Sequence, residues 1–243
     1  MKNYKLSNYL TILSILTLLL TIISIIYINI KPNKEIISEY EEIVLKPQKE
    51  EVEKFKKEVL NNPNNYIKID SILYNRLMDD DGSYFYLDHN LNGEYDQKGI
   101  PIVDERTDFK HTRKTLIYAH STTNGKGPFQ VLQNYYQNYD FYRNHKYIEI
   151  KYNDEIHNYI IFSVYVQTAN DIADEGLEYF AKVDYKDDEW QETIKKYKSK
   201  SDYNTYVDVN RDDKIIILQT CSMNPEYYEK YYRYNLLIFA KEI

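Results

Sequence analysis

Between Leu6 and Ile30 the chain reads LSNYLTILSILTLLLTIISIIYINI, with no charged side chain. A helix of about 25 residues rises ~37 Å, more than the ~30 Å hydrocarbon layer of a bilayer. A membrane-spanning helix is the structure that closes the backbone hydrogen bonds of such an uncharged run internally. A cleaved signal peptide would have a shorter apolar core followed by small residues, and neither is seen, so a retained anchor over 6–30 is expected. Lys2 and Lys5 precede the run and Lys31 and Lys34 follow it, so charge leaves its orientation open. A short tail, 1–5, ahead of a large domain favours a cytoplasmic N-terminus and an extracellular remainder.

Residues 31–65 are charged, with Val52, Phe55, Val59 and Leu60 at helical spacing, and read as a stalk and an amphipathic helix or as a plain solvated spacer. From 66 to 243 the text changes to strands and turns. YIKIDSILYNRLM alternates like a strand, and DDDG at 79–82 reads as a solvated turn. KTLIYAH is a short apolar strand ending on His120. FQVLQNYYQNYDFYRNH reads as a helix and its exit, and KYIEIKYNDEIHNYIIFSVYVQTA as a hairpin turning at Asn153-Asp154. A second helix is expected over 187–201 behind an acidic cap, then a buried strand, KIIILQTC, a turn over NPEYYEKYY, and a last strand, NLLIFAKEI. Many modest strands with two short helices predict a mostly antiparallel β-barrel.

The 31 Lys and Arg against 38 Asp and Glu leave a net charge of -7, which argues against a nucleic-acid partner. Cys221 is the one cysteine among 243 residues, so no internal disulfide exists. A lone free thiol is either a small buried hydrophobe or a nucleophile. Cys221 closes a strand, and strand ends open onto grooves. A nucleophilic cysteine also needs an imidazole and an oxyanion donor. His111, His145 and His157 lie in polar text and His89 in a turn-rich stretch, whereas His120 ends an apolar strand as Cys221 does. For the donor, Arg233 and Lys230 are the nearby cations, and only arginine carries a planar fork. A papain-like thiol hydrolase is disfavoured because the cysteine closes a strand instead of opening a helix.

The order His120, Cys221, Arg233 on an anchored β-rich chain resembles the sortases, cysteine transpeptidases of Gram-positive surfaces. TLIYAHSTTNGKGPFQVLQNYYQNYDFYRNHKYIEI is similar to the family block running from an apolar strand through Gly-His, a loop and a Phe to a helix. LQTC is similar to its Leu-x-Thr-Cys, and YFYLDHNLNGEYDQKGIPIVD to its upstream Tyr-Leu block. IFSVYVQTAND and the following insert resemble class B members. The match runs from Tyr66 to Ile243. Ala119 stands where the family usually has Gly. Arg233 precedes Ala240 by seven positions instead of five; counting back five gives Asn235, and a shift of two keeps a strand residue on one face.

The resemblance implies a closed eight-stranded barrel and transpeptidation without metal or cofactor. Cys221 would attack the Thr carbonyl of a C-terminal sorting signal on a secreted protein. His120 would act as acid and then base, and Arg233 would hold the oxyanion. Thr220 and Leu87 would line the substrate groove. The acceptor would be a peptidoglycan amine, or a lysine of a pilin. A membrane-tethered binding domain without chemistry is the rival reading.

Overall fold

A computed structural model describes residues 65–122, 127–167, 182–222 and 234–243. All belong to one compact unit, Gln48–Ile243. The anchor expected over 6–30, the stalk and helix before residue 65, the turn over NPEYYEKYY, Lys230 and Arg233 lie outside the described residues. Among the described residues no helix is long and apolar enough to cross a membrane.

Among the described residues nine strands form one sheet: β1 (Tyr66–Ile69), β2 (Leu73–Arg76), β3 (Met78–Asp79), β4 (Ile102–Val103), β5 (Lys114–Tyr118), β6 (Tyr147–Tyr152), β7 (Glu155–Gln167), β8 (Ile215–Cys221) and β9 (Asn235–Glu242). Their spatial order is β2-β1-β6-β7-β9-β8-β5-β4-β3. The two end strands are separated in the chain by Leu77 alone. The run 73–79 therefore pairs with β1 at one edge and with β4 at the other, and the sheet curls into a nearly closed barrel. Nine strands stand against the eight expected because the ladder breaks at Leu77, whose N–H turns aside to the Asn65 carbonyl at 3.1 Å.

Three expectations change. The single strand expected over YIKIDSILYNRLM is a hairpin, because Asp70 takes φ 42° and reverses the chain between β1 and β2; aspartate tolerates that region better than most residues. The helix expected after Phe129 is two pieces, a 3-10 turn (Gln130–Tyr135) and α1 (Tyr139–Asn144). Gln137 at φ 51° breaks the run, and Asn138 Oδ1 caps the second piece by accepting the Phe141 N–H at 3.0 Å. Most strand pairs are antiparallel, but β3 with β4 and β5 with β8 are parallel. The β6–β7 hairpin does turn at Asn153-Asp154, with φ 50° and 65°, as a two-residue hairpin loop requires.

The period of two sorts the strands into two faces. Ile117, Ile216, Leu218, Val164, Leu236 and Ile238 fill the interior. Leu116, Ile217, Tyr165, Leu237 and Phe239 face outward. That outer layer is covered by α2 (Asp187–Ser199), which buries Trp190, Ile194 and Tyr197 at helical spacing. Its first turn carries Asp187, Asp188 and Glu189, yet no side chain caps its N-terminus, so the acidic start acts through the helix dipole. Truncating a buried aromatic such as Trp190 costs about 3–5 kcal/mol, so α2 is a structural cover for the outer face of the sheet.

Candidate active site

The parallel pairing of β5 with β8 builds the site. Their register runs from Lys114↔Ile215 to Tyr118↔Gln219. The Ala119 N–H continues it by donating to the Gln219 carbonyl at 3.2 Å. One step further, the same register sets His120 opposite Cys221 at the C-terminal ends of neighbouring strands. Tyr118 lies on the outer face, so His120, two residues on, shares it, as does Cys221 two residues after Gln219. Both are half-buried.

His120 stands near the loop before β4, where the backbone carbonyl of Leu87, at the end of a 3-10 turn (Phe85–Leu87), favours the protonated ring. Burial lowers the imidazole pKa below its ordinary value, partly opposed by the Asp88 carboxylate and the Leu87 carbonyl. The other four histidines have carboxylate partners of their own: His89 with Asp88, His111 with Asp108, His145 with Asp70 and His157 with Glu242, at 2.7 to 3.1 Å. Burial pushes the Cys221 thiol above its ordinary value, while its own backbone N–H works the other way. The resting pair is therefore a neutral thiol beside a neutral imidazole.

Beneath the pair, on the interior side, a polar network ties the two strand ends together. Thr220 Oγ1 donates to Ser121 Oγ at 2.9 Å, and Ser121 Oγ donates to the Phe129 carbonyl at 3.3 Å. Gln133 Nε2 donates both to Ser121 Oγ at 2.9 Å and to the Cys221 carbonyl at 3.0 Å. Thr220, expected to line the groove, is 2 % exposed and points inward. Leu87, also expected there, presents its carbonyl to the histidine, and its side chain packs against the Met78, Tyr86, Ile100 and Ile102 cluster. The DDDG turn caps itself, Asp80 accepting the Tyr84 N–H at 2.8 Å and Asp81 the Ser83 hydroxyl at 2.5 Å.

Sequence reasoning missed Asp88, Ser121 and Gln133. Each is a common polar residue in turn-rich text, and only the folded chain brings it to the histidine or the cysteine. It also missed two glycines that abut the histidine's supports. A Cβ on Gly127 would stand 2.3 Å from the His120 carbonyl oxygen, and one on Gly99 would stand 2.0 Å from the Leu87 carbonyl oxygen.

Comparison with known proteins places the chain in a family. The family model described as Sortase domain matches residues 86–243. Sortase B of Staphylococcus aureus is 28% identical over 189 residues, covering 76% of this chain and 72% of that protein. The structure of a Staphylococcus aureus sortase B–substrate complex superposes with a TM-score of 0.64 at 26% identity, covering 86% of this chain and 90% of that one. A mutant form of Clostridium perfringens sortase B gives 0.65 at 23% identity over 80% of this chain and 87% of that one. With a cysteine and a histidine closing adjacent parallel strands of such a barrel, and a family match over most of its length, the chain belongs to the sortase family of cysteine transpeptidases.

Proposed function

We propose that this protein is a membrane-anchored sortase B-like transpeptidase that cleaves a C-terminal sorting signal after Thr and joins the new carboxyl end to an amine at the cell surface. The observation that carries the reading is the register that sets His120 beside Cys221. The uncharged run Leu6–Ile30 supports the anchor, with the domain from Tyr66 onward outside the cell.

The reaction starts from the neutral pair. The thiol proton passes to the His120 ring, where the nearby Leu87 carbonyl and Asp88 carboxylate favour the charge. The Cys221 sulfur then forms a bond to the Thr carbonyl carbon, and the carbonyl electrons move onto oxygen. Arg233 and backbone N–H groups near Cys221 hold that oxyanion. As the tetrahedral adduct collapses, the C–N bond breaks and the imidazolium gives its proton to the departing amine, leaving a thioester. An incoming amine attacks the thioester, His120 takes its proton, and the thiol is released. Leu87 belongs to the wall of the groove, and Thr220, turned inward, supports the strand end from beneath through Ser121.

Sortase B of Staphylococcus aureus has been solved as a substrate complex, and a sortase B has been solved in complex with triglycine. By analogy, the acceptor here is a peptidoglycan cross-bridge amine; a pilin lysine is the competing acceptor.

The test uses the full-length chain in detergent, a panel of sorting peptides, and triglycine or a lysine peptide as acceptor. A thioester mass on Cys221 followed by transfer to one amine is expected, and Cys221→Ala should abolish both. Unchanged cleavage and transfer by that variant would end the proposal.

A further inference from the structure

β8 lies between β5 and β9, and β9 lies between β8 and β7. The ladders set Cys221 opposite Asn235, and Asn235 opposite Gln167. Together with His120, these residues form one transverse row across β5, β8, β9 and β7. They also share a face. Leu237 and Tyr165, two residues from Asn235 and Gln167, belong to the outer layer, while Leu236 and Val166 point inside. The outward positions that follow on β9, Leu237 and Phe239, are buried and apolar, so the carboxamide of half-buried Asn235 stands where the apolar cover stops.

We propose that Asn235 is a catalytic residue, whose Nδ2–H donates a hydrogen bond to the oxygen of the acyl group on Cys221. The assignment rests on the transpeptidase reading for its natural substrate. Directly opposed residues of an antiparallel pair keep their Cβ atoms about 4.5–5.5 Å apart. An asparagine amide and a thioester oxygen each extend over that gap, so the donor and the oxyanion meet between the strands. Gln167, 1 % exposed, is the residue opposite Asn235 on its other side. A neutral donor suits a site whose resting thiol and imidazole are both uncharged, and a half-buried setting strengthens it relative to water. Arg233, two residues earlier in the chain, is the charged donor of the proposed reaction; Asn235 adds a neutral one, and the experiment reads the two separately.

The probe is p-nitrophenyl acetate, compared with iodoacetamide, on the full-length protein. With the ester, the sulfur bonds to the carbonyl carbon through an oxyanion, the C–O bond breaks, and nitrophenolate leaves with the electron pair. With iodoacetamide the sulfur displaces iodide, and no oxyanion forms. Cys221 is the chain's only thiol, so Cys221→Ala supplies the background from amines. Asn235→Ala, and the similarly sized Asn235→Leu, should lower ester acylation about 100-fold while alkylation stays within about twofold of wild type. Asn235 is not the donor if both rates fall together, if neither changes, or if Arg233→Ala alone lowers acylation selectively. Failure of the transpeptidase reading shows up differently, as absence of peptide transfer by a wild-type protein whose thiol still accepts the ester.

Discussion

Gly99 lies against the Leu87 carbonyl that favours the protonated His120 ring: a Cβ at position 99 would come within 2.0 Å of that oxygen and 2.4 Å of its carbon. Backbone cannot yield to such an approach as a flexible side chain can, and Gly99 also has φ +61°, a conformation that disfavours a side chain. Gly99→Ala should therefore shift the 3-10 turn and move the Leu87 carbonyl away from the imidazole. The expected outcome is a loss of about 1–3 kcal/mol in stability and a fall of tenfold or more in kcat for peptide acylation. Alkylation of Cys221 should change little, since it does not require the histidine to be aligned with a leaving amine. Chemical denaturation and the two rates, measured on the same preparation, check this.

The pH profile follows from two opposite shifts. The thiol is raised and the imidazole lowered, both mainly by burial. Between the two pKa values, the single proton of the pair resides mostly on sulfur, and the thiolate–imidazolium form is a small constant fraction. Below the imidazole pKa a second proton binds, and above the thiol pKa the last one leaves; both deplete that fraction. kcat/KM should thus be flat between the lowered imidazole pKa and the raised thiol pKa and fall on either side. Iodoacetamide alkylation should rise steeply only as pH passes above the ordinary thiol range. An alkylation plateau already established at pH 7 would instead mean a stable ion pair.

Gln133 links the two strand ends through its bonds to Ser121 Oγ and the Cys221 carbonyl. Gln133→Leu keeps the volume and removes both donors. Leaving buried acceptors without them costs about 1–3 kcal/mol, and the strand end carrying the nucleophile loses its tether. We expect a lower Tm and a lower kcat with KM for peptide nearly unchanged. Thr220→Val, which removes only the hydroxyl bond to Ser121, should cost about 1 kcal/mol.

Lys114 is fully buried under α2, with Nζ donating to the Tyr185 hydroxyl at 2.8 Å and 4.9 Å from the centre of that ring. Burial first, then Arg106 and Lys182, lower its pKa to about 7, against the opposing pull of Asp104. In the unfolded chain a lysine binds its proton near pH 10.4. Between that value and about 7 only the unfolded state gains the proton, so this group makes stability decline as pH falls through the window and adds no further slope below it. Lys114→Met should raise Tm at pH 7, by about 1–4 kcal/mol in stability, with a gain that shrinks toward pH 10. Denaturation midpoints across that range test it.

The sequence alone determined the local elements that chemistry punctuates strongly. The apolar runs around Ile117 and Ile217, the turn at Asn153-Asp154 and the acidic start of α2 all appear close to where their patterns place them. Elements whose fate rests on a single unusual φ, at Asp70 and Gln137, escaped, because the residue types there do not demand a break. His120 and Cys221 could be nominated because each closes an apolar strand. Their meeting could not, since it depends on β5 and β8 running parallel, and antiparallel strands would have sent the two side chains to opposite ends of the barrel. The same is true of Asn235 opposite the cysteine, Leu87 against the histidine and Gln133 beneath both. Strand direction and register are set by which faces the whole sheet must bury, so partners brought together from distant segments are decided only when the barrel forms.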